Sequence, residues 1–194
     1  MVIGLTGGTG CGKTTALTVL QEMGARCFDA DAVYHELLRT DGALLDAIEA
    51  AFPGVVEHGG LQRKKLGAQV FGSPEKLRLL SSITQPRVVQ AIREEIRPGL
   101  TVIDAIGLLE SGLERLCDHT VAVTAPREAQ VLRIMARDGV TRAYAEARVD
   151  AQKSPEEFAK ACDFVLMNDG TQEEFKMKCR NLFEKLIKEK EIDG

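Results

Sequence analysis

Residues 7–14 read Gly7-Gly8-Thr9-Gly10-Cys11-Gly12-Lys13-Thr14, with Thr15 next. The run fits the phosphate-binding pattern of Gly, four residues, Gly, Lys, then Ser or Thr. Its glycines open backbone conformations closed to residues with a Cβ, so successive N–H groups can converge on phosphate oxygens. Lys13 adds a compact positive charge for the β- and γ-phosphates, and the Thr14 hydroxyl is placed to ligate an accompanying magnesium ion. Both belong to a helix start, where peptide dipoles and unpaired N–H groups favour an anion. A nucleoside triphosphate is the ligand this run predicts.

The flanking residues support that reading. Val2 to Thr6 is a short apolar run suited to a buried strand, and Ala16, Val19, Leu20 and Met23 then recur at helical spacing before Gly24, a C-cap. Strand, glycine loop and helix therefore come in the required order. The dinucleotide pattern GxGxxG does not fit, because the glycine spacing differs and Lys-Thr follows. Cys11 fills a small-residue slot.

With 194 residues, 44% of them hydrophobic, the chain can bury a real core and fits one domain with an insertion. It has no apolar stretch near the roughly 20 residues of a membrane-spanning helix and no basic-then-apolar leader, so a cytoplasmic address without membrane partners is expected. Cysteines at 11, 27, 117, 162 and 179 form no CxxC pair and read as buried or idle thiols. A net charge of −4 argues against broad nucleic-acid binding. Arg127 to Lys153 departs from that average, with six basic residues against four acidic, and predicts local attraction for anions.

Further apolar runs at Arg26–Ala30, Leu100–Ala105, Thr120–Thr124 and Phe164–Met167 alternate with helical stretches, the pattern of an α/β fold with a parallel sheet. Between the second and third strands lies far more chain than one crossover helix needs, which predicts an inserted helical subdomain. Its segments are Ala43–Phe52, Arg63–Phe71, Pro74–Ile83 and Pro86–Arg97, punctuated by Pro53-Gly54, Gly59-Gly60, Gly72 and Pro98-Gly99. Gln172–Glu191 predicts a last helix with Phe175, Cys179, Leu182, Phe183, Leu186 and Ile187 on one stripe, and its terminal KEKEID charges need no partner.

Asp29 and Asp31 stand two apart at the end of the second strand, so an extended backbone points both carboxylates to one side, beside the loop. One can accept a hydroxyl proton and orient that oxygen, and the other can hold magnesium through water; Asp31 is the candidate base. The competing reading makes Asp31 an N-cap for a helix beginning at Ala32. His35, one turn on, faces either a ligand or solvent. Arg133 and Arg137 share a helical face, as do Ala145, Arg148 and Gln152 on the next, with Asp138-Gly139 between them. A hinged flap there can bring guanidinium groups onto the phosphates and exclude water, although an Arg-rich helix is also commonly a solvated face. Asp104 reaches either the magnesium shell or a helix cap, and Asn168-Asp169-Gly170 either a nucleobase or an ordinary turn.

Taken together, LTGGTGCGKT, DADAVYH from Asp29, RKKLGAQVF from Arg63, IDAIGLLESGL from Ile103, RDGVTRAYAEARVDAQ from Arg137 and the late NDG closely resemble the dephospho-CoA kinases. The resemblance implies a P-loop kinase core around a five-stranded parallel sheet, formed by residues 1–34, 100–136 and 154–194. It also implies a helical acceptor-binding domain at 35–99 and a helical lid at 137–153. The implied reaction is phosphorylation of the ribose 3′-hydroxyl of dephospho-CoA by Mg·ATP, the last step of coenzyme A synthesis. Carried over by position, Gly7 to Thr15, Arg137 and Asn168 contact ATP, Thr14 the metal, and Lys13, Asp31 and Arg137 take part in catalysis. Asp31, His35, Arg63, Leu66, Asp104 and Arg148 face the acceptor. Three departures stand out: Cys11 where Ser is usual, Gln85 before Pro86 where His is usual, and IDAIGLLE for the commoner DxPLLFE, which still keeps Asp104 and Glu110 at the family spacing.

Two other readings share the loop. A small-metabolite kinase of shikimate or gluconate type also pairs it with an acidic acceptor site, but the long insert suits a larger acceptor. A nucleotide-dependent switch is disfavoured as a GTPase by the absence of NKxD.

Overall fold

The computed structural model describes residues 1–192; residues 193 and 194, the first of which ends the KEKEID run, lie outside the described residues. In chain order the elements are β1 (Val2–Gly7), α1 (Lys13–Glu22), β2 (Arg26–Asp29), α2 (Ala30–Thr40), α3 (Gly42–Ala51), β3 (Val56–Glu57), β4 (Gly60–Leu61), α4 (Arg63–Val70) and α5 (Pro74–Glu95). There follow β5 (Thr101–Asp104), a 3-10 turn at Leu113–Leu116, β6 (His119–Thr124), α6 (Arg127–Asp138), α7 (Arg142–Asp150), α8 (Pro155–Ala161), β7 (Phe164–Met167) and α9 (Gln172–Ile192).

The five apolar runs become one parallel sheet in the order β2-β5-β1-β6-β7. Burial on both faces explains why their sequence reads as almost unbroken hydrophobics rather than alternation. One face, through Ile3, Leu5, Val102, Val121 and Val123, packs on Ala16, Val19 and Leu20 of α1 and Phe175, Cys179, Phe183 and Leu186 of α9. The other, through Phe28 and Ile103, packs on Val88 and Ile92 of α5 and on Leu108 and Leu113. Strand order reverses about β1, so a crevice opens at the carboxyl ends of the strands, directly over the glycine loop.

Helices α2 to α5 form a layer with its own core of Leu38, Leu44, Ile48, Phe52, Val55, Leu66 and Val70. Two expectations change here. Pro86 lies inside α5, which runs unbroken where the sequence predicts two helices. The residues on either side of it share one apolar stripe, Thr84, Val88 and Ile92 all being buried, and that packing outweighs the missing N–H. A hairpin of β3 and β4, turning at His58-Gly59 with both residues at positive φ, replaces what the sequence shows only as glycine punctuation. Lys190 also has a partner, pairing with Asp118 at 3.0 Å and tying α9 to the start of β6. All five cysteines are free thiols, as expected, and burial pushes Cys117 and Cys179 up to about 12.

Candidate active site

The loop leaves β1 at Gly7 and enters α1 at Lys13, with Gly12 in the left-handed region as the N-cap. Gly10 shows why glycine is needed: its φ is +79°, and a Cβ there would stand 2.8 Å from the Gln130 carbonyl oxygen. Side chains from three distant segments hold the loop. Asn168, buried after β7, donates Nδ2 to the Cys11 carbonyl at 2.9 Å. Arg133 of α6 donates Nη1 to the Gly10 carbonyl at 3.1 Å. Gln152, just past α7, accepts the Thr9 N–H through Oε1. Cys11 itself is buried among core residues, and that burial raises its thiol pKa.

Lys13 pairs with Asp104 at the end of β5, both side chains largely buried. Thr14 lies on the exposed side of the first turn of α1. Register places Asp29 level with Asp104, so the start of α2 stands beside this ion pair. The N-cap of α2 is Asp29, whose Oδ1 accepts the N–H groups of Asp31 and Ala32 at 2.9 and 3.0 Å. This settles the choice left open by the sequence: Asp29 caps, the helix begins at Ala30, and the carboxylate of Asp31 is not used as a cap. The two carboxylates therefore do not project in parallel from an extended strand.

Asp31 lines a cleft of about 610 Å³, open to solvent, whose walls include Tyr34, Thr84 and Gln85 on the helical layer and Gly107 and Glu110 after β5. Gln85 is thus brought to the cleft, where the sequence marks it only as a departure. From Gly107 and Glu110 a trench continues past Gly7 and Gly8 to Gln152 and Lys153. On the far side of the loop a second hollow is lined by Gly12, Thr15, Arg133, Asn168 and Phe175. The loop thus lies between two chambers, with the trench alongside its first residues.

The remaining expected residues divide. His35 and Arg63 line a separate groove with Arg39 and the β3–β4 hairpin, one turn along α2 from Asp31. Leu66 is 6% exposed and packs into the helical layer, so its side chain supports α4 rather than facing an acceptor. Arg137 and Arg148 both bind Asp138, with Arg137 Nε 2.7 Å and Arg148 Nη1 2.8 Å from its carboxylate. These bonds, Arg137's first, hold the Asp138 carboxyl below the usual range. Arg127 and Arg142 are likewise engaged by Asp150, Glu128 and Glu146. Arg133 is the arginine of this segment that touches the loop, one turn before the expected Arg137. Gln152, expected on one helical face with Ala145 and Arg148, lies past the helix instead: α7 ends at Asp150, and Gln152 folds back beyond it so that Nε2 donates to the Arg148 carbonyl at 2.6 Å.

The family model of dephospho-CoA kinase matches residues 1–174. The chain belongs to the dephospho-CoA kinase family. A dephospho-CoA kinase of Paramagnetospirillum magneticum is 40% identical over 161 residues, covering 80% of this chain and 76% of the relative. That of Carboxydothermus hydrogenoformans is 36% identical over 192 residues, covering 95% and 93%. The solved structure of a dephospho-CoA kinase from Campylobacter jejuni superposes with a TM-score of 0.71 at 26% identity over 97% of this chain and 98% of that one. Fold, loop and both clefts thus lie within the aligned region, and the helical layer is a family element rather than an addition peculiar to this chain.

Proposed function

We propose that this dephospho-CoA kinase moves the γ-phosphoryl group of ATP to the ribose 3′-hydroxyl of dephospho-CoA, giving coenzyme A and ADP. The observation that carries the reading is the Asp31 carboxylate, not used as a helix cap and lining a cleft that continues through Gly107 and Glu110 to the phosphate loop. The acceptor hydroxyl sits in that cleft, where Asp31 orients it and takes its proton as the O–P bond forms. Transfer through a loose transition state asks mainly for alignment and charge neutralisation, which the loop amides, Lys13 and the arginines of α6 and α7 supply. The adenosine of ATP occupies the hollow at Gly12, Thr15 and Asn168.

Residues 35–99 serve as the acceptor domain and 137–153 as the lid, around a core of residues 1–34, 100–136 and 154–194. His35 and Arg63 line a basic groove suited to the anionic part of a long acceptor. Arg137 and Arg148 reach phosphate by exchanging Asp138 for it, a like-for-like replacement of one anion by another. The Thr14 hydroxyl and the Asp104 carboxylate are hard oxygen donors of the kind that suit a magnesium ion. Such an ion would be held by Thr14 and, when bound, would neutralise charge on the nucleotide's phosphates.

The test supplies ATP, magnesium and dephospho-CoA and looks by mass spectrometry for phosphate added at the 3′ position. A product phosphorylated there is expected. Phosphorylation of shikimate or gluconate instead, or ATP consumption that does not respond to dephospho-CoA, overturns the reading.

A further inference from the structure

Gln152 stands where the lid segment, the phosphate loop and the acceptor cleft meet. Its Oε1 accepts the Thr9 N–H and its Nε2 donates to the Arg148 carbonyl, so both ends of the carboxamide are engaged and its orientation is fixed by bonding. The fit is close: a Cβ on Gly8 would come to 2.5 Å from Gln152 Oε1. The next residue, Lys153, pairs with Glu110, which lines the acceptor cleft. A neutral oxygen from the lid thus occupies an amide of the phosphate cradle, and its neighbour is tied to the acceptor side.

The position of that amide along the nucleotide follows from the two chambers. The hollow at Gly12, Thr15 and Asn168 lies at the helix end of the loop, and the cleft of Asp31 and Gly107 at the other. A triphosphate laid between them has its terminal phosphoryl at the Gly8–Thr9 end. A γ-oxygen and Gln152 Oε1 therefore compete for one N–H.

Resting on the kinase reading above, we propose that Gln152 is a positioning residue that guards the γ-phosphoryl end of the loop. It holds the Thr9 N–H until the terminal phosphoryl of ATP replaces it. The Glu110–Lys153 pair makes this exchange easier once an acceptor engages Glu110. A phosphate oxygen displaces the carboxamide because a charge-assisted hydrogen bond is stronger than a neutral one. ADP has no γ-phosphoryl and leaves the contact in place. Gln152 thus lowers affinity for ATP, but not for ADP, while the acceptor cleft is empty, which limits loss of phosphoryl groups to water.

The test measures binding of Mg·ADP and of the Mg complex of β,γ-imido-ATP to the full chain by calorimetry, for the wild type, Gln152→Ala and Gln152→Glu. Loss of the competing bond in Gln152→Ala tightens the imido analogue about fivefold, the equivalent of roughly 1 kcal/mol, and leaves ADP within about twofold. Gln152→Glu keeps an acceptor on Thr9 and adds a negative charge facing the γ-position, so the analogue weakens about tenfold or more and ADP changes much less. Lys153→Met abolishes any tightening of the analogue by added dephospho-CoA. Equal shifts for both nucleotides in Gln152→Ala, or tighter analogue binding in Gln152→Glu, overturn the proposal and leave the kinase reading intact. A wild-type chain that binds neither nucleotide overturns both.

Discussion

The two ends of the sheet treat their carboxylates differently. At the amino ends, Asp118 accepts the Val2 N–H at 2.7 Å and pairs with Lys190, while Asp163 accepts both the N–H and the hydroxyl of Thr120 at 2.7 and 2.8 Å. Partial burial pushes the Asp118 carboxyl up, yet the Val2 N–H and Lys190 outweigh it and hold it below the usual range. The Thr120 N–H holds Asp163 down in the same way. At the carboxyl ends, the Asp104 carboxylate pairs with the Lys13 ammonium and Asp31 lines an open cleft. Acids at one end complete the fold; at the other they remain available to a ligand, with the backbone needs of α2 met by Asp29 instead. Substitutions at the ligand end should therefore cost turnover, and those at the other end stability.

The largest separation is expected at Lys13. Lys13→Ala removes the positive charge from the cradle and leaves Asp104 largely buried without its cation. Turnover should fall about 10³-fold, on the scale of losing one preorganised electrostatic contact, as read by coupled ADP release. Asp31→Asn comes next, lowering kcat about 100-fold with nucleotide affinity and melting temperature nearly unchanged, because the side chain is not used by the fold. Near-normal turnover in Asp31→Asn would remove that carboxylate from the mechanism.

Asp163→Ala should behave the opposite way. Losing the acceptor for Thr120 costs roughly 1–2 kcal/mol, seen as a fall of about 5 °C in melting temperature, with kcat within about twofold of wild type. Its carboxyl is depressed in the folded state, so its contribution is fully present above the ordinary carboxylate range and lost as pH falls through the folded value. Wild type and variant should differ in thermal melts at pH 7 and converge in acid, below the ordinary carboxylate range. A difference that persists in acid would assign the effect to packing rather than to the carboxylate.

Much of this division was open to reading from the chain. The five strands announce themselves because both faces of a covered parallel sheet must be apolar, and the loop because its glycines, Lys13 and Thr14 sit between a strand and a helix. The identity of the cap was not readable, since Asp29 and Asp31 are both good caps and a helix boundary shifted by two residues exchanges their roles. Arg133 and Gln152 could be assigned to faces of the flap, but not to their contacts with the loop. Gln152 meets Thr9 from 143 residues away and only after α7 has ended, so no local periodicity aims it there. Its spacing of four from Arg148 was the available clue. The His58-Gly59 turn lacks the usual Asn-Gly or Asp-Gly signal, and Pro86 keeps its place in α5 through packing that no single-segment pattern displays.

Asn168 sharpens the comparison because it lies at the ligand end yet serves the fold. Its backbone N–H donates to the Thr124 carbonyl at 2.8 Å and its Nδ2 to Cys11, so β7 carries the loop on a side-chain strut. Gly12 leaves no room for anything larger between them, and its left-handed φ of +98° admits little but glycine. Asn168→Ala should cost about 1 kcal/mol of stability through the unpaired Cys11 carbonyl, and raise the KM for ATP about fivefold while leaving that for the acceptor unchanged. Asn168→Asp is the sharper probe. A carboxylate cannot donate to the carbonyl and places negative charge beside the phosphate cradle, so it should raise the KM for ATP well above the alanine value at equal or lower stability. If Asp and Ala prove equivalent in KM, Asn168 acts on the loop's shape alone; if neither moves KM, the strut is not what presents the amides to ATP, and Arg133, bonded to the Gly10 carbonyl, must carry that task.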